Sequence, residues 1–351
     1  MSWDARARIG LSLVAWATLT LLSACKRNEV PLQRVTIPPG ATMRAVAESL
    51  KSGGLIGSPR LFAFYAKLRR SDRGMKPGTY LMRRDESWGG LLSALRTGRG
   101  VVNVVTVPEG FTLAQIEQVL IAKLGISPDS FRAAVTDTAL LDRLGAPTPI
   151  AEGYLFPDTY FFSPGTSARA AVRAMVRRFE QQWRVEWGAR LDSLGRTRHE
   201  VLTMASIVER EAKRPEERPV IASVYWNRLR RGMLLQADPT VQYALPQYQK
   251  RLLNKHLAVK SRYNTYQYRG LPPGPIGSPG TASIRAALYP ADVPYLYFVA
   301  YPDGHHEFRT RLEQHQAAVR DSRRAWDVVR RQQRADSVRM AREGMARRSG
   351  L

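Results

Sequence analysis

The chain has 351 residues, of which 44% are hydrophobic and 9% aromatic, enough for two or three domains with buried cores, and a wholly disordered protein is excluded. The formal net charge of +24, from 54 Lys and Arg against 30 Asp and Glu, favours an anionic partner such as nucleic acid, a membrane surface or a wall polymer. A codon bias towards arginine explains the excess equally well, because 45 of the basic residues are Arg.

The first 25 residues have the pattern of an export signal, since Arg6 and Arg8 precede an apolar run over residues 9–24. The single cysteine, Cys25, ends a Leu-Ser-Ala-Cys segment that resembles a bacterial lipobox, so lipidation at Cys25 is predicted. The alternative is an uncleaved signal anchor, although the run is shorter than the roughly 20 residues of a comfortable membrane span. Both alternatives tether the chain to a membrane and place the rest outside the cytoplasm, which argues against nucleic acid as the partner. A lone cysteine also excludes an intrachain disulfide.

An internal repeat defines the next part of the chain. Residues 35–43 (Val-Thr-Ile-Pro-Pro-Gly-Ala-Thr-Met) are echoed by residues 105–113 (Val-Thr-Val-Pro-Glu-Gly-Phe-Thr-Leu). Each copy predicts a strand, a Pro/Gly turn and a helix that begins after a Thr N-cap. Between the copies the pattern predicts two helices and a strand, over residues 61–68, 91–96 and 78–82. We therefore expect a small α+β unit over residues 33–100 and a second α+β segment over residues 101–149.

From about residue 150 the pattern is that of a larger domain, predicted over residues 150–320. One helix has apolar residues three and four apart that are expected to enter the core: Val172, Met175, Val176, Phe179 and Trp183. Residues 201–213 are apolar on nearly all sides, which predicts a buried helix. A stiff Pro-rich loop and a core strand are predicted after it, over residues 271–280 and 295–300. The tail over residues 321–351 has a net charge of +5 and predicts a solvated or membrane-facing helix.

The buried helix ends in two candidate acids, Glu209 and Glu211. A carboxyl group at the end of a buried segment loses water, and this desolvation raises its pKa towards neutrality, as a general acid requires. The two residues are about 200° apart around a helix, so at most one of them faces a cleft and they cannot share one proton. The alternative is that both are surface carboxylates, paired with Lys213 or Arg214.

Three polar segments suit a sugar chain through their amides, hydroxyls and aromatic faces: residues 227–228, 236–240 and 263–266. Taken singly, each is more typical of a turn. The five histidines form no His-Glu-x-x-His pair, and His305 and His306 have the pattern of a turn. The sequence also contains no Gly-rich phosphate loop and no Gly-x-Ser-x-Gly elbow.

Six longer segments occur in a fixed order: residues 152–160 (Glu-Gly-Tyr-Leu-Phe-Pro-Asp-Thr-Tyr), 205–211 (Ala-Ser-Ile-Val-Glu-Arg-Glu), 227–229 (Asn-Arg-Leu), 235–241 (Leu-Gln-Ala-Asp-Pro-Thr-Val), 263–266 (Tyr-Asn-Thr-Tyr) and 270–276 (Gly-Leu-Pro-Pro-Gly-Pro-Ile). Together they resemble the endolytic murein transglycosylases, the YceG-like family. The likeness covers about residues 35–320, and its motifs are long and specific.

The resemblance implies an α+β fold in which small LysM-like βααβ modules, matched by residues 33–100, precede a mixed α/β catalytic domain. It implies an enzyme of the inner membrane that faces the periplasm or cell wall and cuts nascent peptidoglycan strands internally. The expected cut is between N-acetylmuramic acid and N-acetylglucosamine and leaves 1,6-anhydro ends, without a metal or organic cofactor. The expected partners are peptidoglycan strands, the membrane and peptidoglycan synthases, and the expected role is to terminate strand elongation.

The resemblance also implies the site residues. Glu209, the first Glu after Ala-Ser-Ile-Val, is the expected catalytic acid. It would protonate the leaving oxygen and then take the proton of the sugar's own 6-hydroxyl, so that no second carboxylate is required. Glu211 is the alternative acid. The residues expected to line the cleft are Glu152, Gln236, Asp238, Asn264 and Tyr266.

Three features depart from the family pattern: a lipobox in place of a plain transmembrane anchor, Gln316 after His315 where the family often has Asn, and the Arg-rich tail. Two other functions stay open. An inactive wall-binding protein would use the LysM-like unit alone, and replacing Glu209 would then change nothing. A basic nucleic-acid binder would need a cytoplasmic chain. An ordinary wall hydrolase would differ by the reducing ends of its products.

Overall fold

The computed structural model describes residues 31–249 and 251–349. The chain divides between Val102 and Asn103 into two compact units, called unit 1 and unit 2 below. The apolar run over residues 9–24 and Cys25 lie outside the described residues, so the export signal and the lipidation stay predictions. Within the described ranges, we find no helix whose length and apolar character would let it cross a membrane.

Unit 1 alternates strands and helices in its described part: β1 (Leu32–Ile37), α1 (Met43–Ser52), α2 (Pro59–Leu68), β2 (Gly78–Arg83), α3 (Trp88–Thr97) and the start of β3 (Val101–Thr106). Strand β1 pairs antiparallel with β2 along its whole length, and β2 continues the sheet through Tyr80, which lies opposite Val101. The helices predicted over residues 61–68 and 91–96 and the strand predicted over residues 78–82 are confirmed.

The core of unit 1 follows from the alternation of side chains along its strands. Every second residue of a strand points to the same face, and alternate residues of β1 and β2 are buried: Val35, Ile37, Tyr80 and Met82. The buried residues from strands and helices include Val35, Ile37, Leu50, Phe62, Tyr80, Leu91 and Leu95. The apolar stripes of all three helices therefore cover one face of the small sheet.

Unit 2 contains the rest of β3, paired antiparallel with β4 (Thr159–Phe162), and a hairpin of β5 (Tyr297–Ala300) and β6 (His306–Arg309). Its helices are α4 (Leu113–Leu124), α5 (Pro128–Val135), α6 (Thr138–Leu144), α7 (Ala168–Gln182), α8 (Glu186–Leu194), α9 (Arg198–Glu211), α10 (Arg218–Arg230), α11 (Asp238–Ala244), α12 (Asn254–Leu257), α13 (Thr281–Leu288) and α14 (Leu312–Ser349). A short 3-10 turn, Pro215–Glu217, precedes α10. The predicted mixture of helices and strands is confirmed, and the strands pair antiparallel.

The two copies of the repeat have the same local structure. Each strand ends at a turn whose glycine has a positive φ, +70° at Gly40 and +76° at Gly110, which glycine adopts without the strain of a Cβ. The helix that follows begins with a threonine side chain that accepts a backbone N–H, at Thr42 before α1 and at Thr112 before α4. The repeated sequence therefore encodes a strand–turn–helix corner twice.

Helix α9 is the centre of unit 2. Its side chains from Val201 to Val208 are all buried, and it packs against α10, α11 and α13. A helix that is apolar on all sides needs other elements around its whole circumference. The predicted buried helix is confirmed, but it ends at Glu211, because Ala212 leaves the helical conformation with a ψ of 114°. The polar residues of its last turn are thereby brought to the edge of the core.

The other long elements of unit 2 agree with the sequence pattern. The predicted stripe of α7 is buried from Val172 to Phe179. The strand predicted over residues 295–300 is confirmed as β5, but its place in the core is not, because Tyr297, Phe298 and Val299 are half-buried and Ala300 is exposed. Helix α14 confirms the predicted helical tail as far as Ser349. Its early turns pack on the hairpin, where the hydroxyl of Ser322 donates to the carbonyl of Ala300 at 2.7 Å, and most of its described side chains beyond that point are exposed.

Candidate active site

The last turn of α9 presents Glu209 and Glu211 to different surroundings, as their angular separation predicts. Glu211 accepts a hydrogen bond of 2.8 Å at Oε1 from the hydroxyl of Tyr225, on the neighbouring helix α10. Burial raises the pKa of Glu211 to about 7, and the negative charge of Asp238 adds to the increase, whereas the Tyr225 hydrogen bond opposes it. Glu211 is therefore a carboxyl group that can hold a proton at neutral pH.

Glu211 lies in the wall of a cavity of about 300 Å³. The residues that line this cavity are Glu211, Tyr225, Arg228, Leu235, Gln236, Asp238, Tyr266, Phe298, Val299, Ala300, His306 and His315. They come from α9, α10, the segment before α11 and its first residue, the loop over residues 263–266, the β5–β6 hairpin and α14, which are far apart in the sequence. Three of the residues predicted to line a cleft, Gln236, Asp238 and Tyr266, are among them.

Asp238 and Tyr266 form a second carboxylate–tyrosine pair beside Glu211. The hydroxyl of Tyr266 donates to Oδ1 of Asp238 at 2.6 Å. Gln236 precedes α11 with a φ of +51°, a left-handed conformation that is uncommon for a residue with a side chain and often marks a functional site. The conformation is held because its N–H donates to the carbonyl of Thr265 at 3.0 Å. The polar wall of the cavity is thus fixed before any substrate enters.

The cavity is also lined by basic and aromatic residues that were not among the predicted cleft residues. Arg228 is buried, and its Nε donates to the carbonyl of Leu296 at 2.6 Å. His315 stacks on Tyr297 with ring centres 5.2 Å apart, and burial, followed by the charge of Arg228, lowers its pKa. A sequence signal existed for Arg228, since it lies in the Asn-Arg-Leu segment of the resemblance.

The prediction of a turn at His306 is wrong. The sequence pattern predicted a turn at both His305 and His306, but His306 begins β6 and is buried. Its Nδ1 lies 2.6 Å from Oε2 of Glu217, and its backbone N–H donates to the other oxygen of the same carboxylate at 2.9 Å. Buried polar groups need such partners, and the carboxylate of Glu217 is too distant in the sequence for the local pattern to reveal it.

Glu209 lies on the other side of α9 and does not line this cavity. Its side chain is 7% exposed and bound on both oxygens, by Nη2 of Arg218 at 3.3 Å and by the backbone N–H of Gly280 at 3.0 Å. A third residue, Glu109, approaches from the second copy of the repeat, and burial, together with repulsion from Glu209, raises its pKa. The contacts of Glu209 are those of a residue that joins α9 to α10 and α13.

Two further predicted residues, Glu152 and Asn264, are buried away from the cavity. Glu152 accepts the N–H of Leu113 with both oxygens, at 3.1 and 3.2 Å, and the hydroxyl of Tyr243 at 3.1 Å, and burial raises its pKa to about 7. Asn264 is fully buried, and its Oδ1 accepts the N–H of Tyr266 at 3.0 Å. Glu152 therefore ties its segment to α4 and α11, whereas Asn264 holds the loop over residues 263–266. Among the described residues, no group of three or more His, Cys, Asp or Glu has the arrangement of a metal site.

Comparisons with known proteins agree with this organisation. The model of the YceG-like family matches residues 35–321. The endolytic murein transglycosylase of Bacillus subtilis is 33% identical over 318 residues, which are 85% of this chain and 87% of that protein. The protein of the same name from Streptococcus pneumoniae is 30% identical, over 76% of this chain and 54% of its own length. A crystal structure of a YceG-like protein from Listeria monocytogenes superposes with a TM-score of 0.60 at 31% identity, over 82% of this chain and 98% of that one. This chain therefore belongs to the YceG-like family.

Proposed function

We propose that this chain is a peptidoglycan lytic transglycosylase, a lyase that acts on the glycan strands of the cell wall. The curated relatives that it resembles are named endolytic murein transglycosylases. The observation that carries the proposal is the carboxyl group of Glu211, buried enough to keep a proton near neutral pH and lining a polar cavity. Such a cavity, with hydroxyls, an amide and aromatic rings, suits a sugar chain.

We assign the catalytic acid to Glu211 in place of Glu209. The expectation for Glu209 rested on its place in the motif, but both of its oxygens are bound by Arg218 and Gly280, and it is outside the cavity. Glu211 shares that cavity with Asp238 and Tyr266. The hydroxyl of Tyr225 binds Oε1 of Glu211, which leaves Oε2 to carry the proton.

The mechanism needs only one acid. Glu211 gives its proton to the glycosidic oxygen, the bond from this oxygen to the anomeric carbon breaks, and positive charge develops on that carbon. The 6-hydroxyl of the same sugar then bonds to the anomeric carbon, and its proton goes to the carboxylate of Glu211, which restores the acid. No water is consumed, so the second carboxylate of ordinary glycosidases is not required. The negative charge of Asp238 would stabilise the charged sugar, and Gln236 and Tyr266 would bind its polar groups.

The finer parts of the function follow the family. We propose cleavage between N-acetylmuramic acid and N-acetylglucosamine within nascent strands, with 1,6-anhydro ends, as a step that terminates strand elongation near the synthases. Residues 33–100 would serve as a LysM-like module, residues 101–149 as a second α+β segment and residues 150–320 as the catalytic domain. An anchor in residues 1–25, by a lipid on Cys25 or by an uncleaved signal, would hold the enzyme at the inner membrane, facing the periplasm or cell wall.

The test is the digestion of purified peptidoglycan by residues 28–351, with products identified by mass. Glu211→Gln should lower the rate by about 10² to 10⁴-fold, the usual contribution of general acid catalysis, because the amide has no proton to give. Glu209→Gln, the matched control from the same helical turn, should keep much more activity. Anhydro-ended products from Glu211→Gln but not from Glu209→Gln would show that Glu209, and not Glu211, is the catalytic acid. If the unaltered chain yields only reducing ends, it is a hydrolase, and if it yields no fragments from crosslinked or nascent strands, it is a wall-binding protein.

A further inference from the structure

Unit 1 contains a cavity of its own, with a volume of about 520 Å³, larger than the cavity beside Glu211. One wall is a single face of α3, formed by residues 89, 92, 93, 96 and 97, which are three and four apart. The other wall is formed after α2 by Arg69, Ser71, Arg73 and Gly74. The buried side chain of Leu92 contributes to the lining, and most of the other lining groups are polar.

Three arginines line this cavity: Arg69, Arg73 and Arg96. Arg96 donates from Nη1 to the hydroxyl of Ser71 at 3.3 Å, and the guanidinium of Arg69 lies 5.9 Å from the centre of the Tyr65 ring. Both partners are uncharged, so they orient the two guanidinium groups without neutralising them. In the described part of unit 1, the ion pairs involve other arginines, Arg83 with Asp85 and Arg99 with Glu86.

The charge around the cavity strengthens its preference for anions. Residues 31–102 contain 13 Lys and Arg against four Asp and Glu, a net charge of +9 in about a fifth of the chain. Three like charges around one concave surface repel each other, and an anion between them relieves this repulsion. The planar fork of a guanidinium group matches two oxygens of a phosphate or carboxylate.

We propose that this arginine cavity, formed by Arg69, Arg73 and Arg96, binds a phosphate group, with a diphosphate as its preferred form. A single carboxylate would balance only one of the three guanidinium groups, whereas a diphosphate has enough charge and enough oxygens for all three. The volume of the arginine cavity also exceeds what one carboxylate needs. The phosphate could come from a soluble molecule or from a lipid headgroup, and the binding chemistry is the same. This inference does not depend on the proposed enzymatic function, because all of the residues involved are in unit 1.

The experiment is isothermal titration calorimetry of the purified full chain with inorganic diphosphate, and with citrate as a carboxylate of similar charge. We expect one site per chain for diphosphate. The triple variant Arg69→Gln, Arg73→Gln, Arg96→Gln should weaken binding by at least about tenfold. The matched control triple, Arg34→Gln, Arg44→Gln, Arg84→Gln, removes the same charge from exposed residues of unit 1 outside the cavity and should keep the affinity within about twofold.

A single substitution tests whether the loss of diphosphate binding in the triple variant is caused by misfolding. Arg73→Gln alone should also weaken diphosphate binding, and within the described residues Arg73 has neither an ion pair nor a side-chain hydrogen bond that its replacement would break. Equal weakening by both triple variants, no binding at all, or binding of citrate as tight as that of diphosphate would overturn the proposal.

A second experiment, sedimentation with phosphatidylcholine vesicles that contain phosphatidic acid, distinguishes a lipid headgroup from a soluble molecule as the source of the phosphate. A loss of sedimentation in the cavity triple alone indicates a lipid phosphate, and unchanged sedimentation, with diphosphate binding lost, indicates a soluble one.

Discussion

Glu211 and Glu209 show how strongly the surroundings decide what a carboxyl group can do. They are two residues apart on one helix, yet Glu211 meets a tyrosine hydroxyl and a cavity, whereas Glu209 meets a guanidinium group and a backbone N–H. Burial, together with the nearby negative charge of Asp238, favours the protonated form of Glu211. Glu211 is therefore the residue that we propose as the proton donor.

The first prediction concerns the pH dependence of catalysis. Since the acid must be protonated and the pKa of Glu211 is about 7, the rate should fall as the pH rises through about 7. Asp238→Asn removes a negative charge that raises this pKa, so the fall should move to lower pH. Tyr225→Phe removes a hydrogen bond that lowers it, so the fall should move to higher pH. The measurement is the rate against pH for the three proteins, and shifts in the same direction would contradict the assignment.

The second prediction concerns stability, through the buried carboxyl group of Glu152. Its pKa is about 7 in the folded chain against 4.5 when unperturbed, so the folded state keeps a proton that the unfolded state has lost between these values. This contribution to stability is complete below about pH 4.5 and disappears as the pH rises towards 7, a loss of up to about 3 kcal/mol. Glu152→Gln cannot ionise, so its free energy of unfolding should fall less between about pH 5 and pH 8 than that of the unaltered chain.

The measurement is urea denaturation at the two pH values. Glu200→Gln is the matched control, because its hydrogen bonds from Thr197 and Arg196 lower the pKa of Glu200, and the change in its charge lies below the tested range. A Glu152→Gln variant with the same pH dependence as the unaltered chain would show that Glu152 is already ionised at low pH.

At the scale of elements, two loops that the sequence separates by more than a hundred residues pack against each other. The aromatic segment over residues 152–160 and the Pro-rich segment over residues 271–280 meet at Gly153, which has a φ of +83°. A Cβ on Gly153 would come within 2.6 Å of Cγ of Pro275. Only a glycine allows the two segments to approach so closely, which is a physical reason for a glycine in the first of these motifs.

The third prediction uses this contact. Gly153→Ala and Gly165→Ala both place a side chain at a positive φ, +83° and +78°, but only the first meets a neighbouring residue, since a Cβ on Gly165 has open space. Both should lose about 1 kcal/mol from backbone strain. Gly153→Ala should lose about 1–3 kcal/mol more from overpacking, measured as the free energy of unfolding in urea. Equal losses in the two variants would mean that the loops separate easily.

At the scale of the whole molecule, α14 is the element whose sequence and surroundings differ most from the rest. Residues 331–351 contain six Arg against two acidic residues, and most of the described side chains there are exposed. We propose that they contact an anionic lipid or wall polymer, because such surfaces attract clustered arginines over distances of about a Debye length.

The fourth prediction follows from removal of residues 331–351. The truncated chain should keep its fold and its activity on soluble strands, since the cavity beside Glu211 uses none of these residues. Sedimentation with purified sacculi or with anionic vesicles should decrease, and the difference from the full chain should vanish at high salt. Unchanged sedimentation at low salt would leave codon bias as the explanation of the basic tail.

Much of the fold was predictable because it depends on local patterns. The strands and helices of unit 1, the buried stripe of α7 and the apolar helix α9 follow from side-chain periodicity, and the Thr-capped turns follow from the repeat. The sequence also determined that Glu209 and Glu211 face different sides of α9, since this is a property of helix geometry. The family followed from motifs that can be read in order along the chain.

Only the tertiary structure decided which of these carboxyl groups faces the cavity. Glu211 is paired with Tyr225, and Asp238 with Tyr266, across elements that are distant in the sequence. Glu152 and Asn264 were predicted to line the same cleft, but Glu152 is hydrogen-bonded to two helices and Asn264 to its own loop. Desolvation and the partners of a buried polar group are set by packing between elements. A sequence pattern can therefore indicate a carboxyl group for catalysis, but only its three-dimensional neighbours determine whether it keeps its proton at neutral pH.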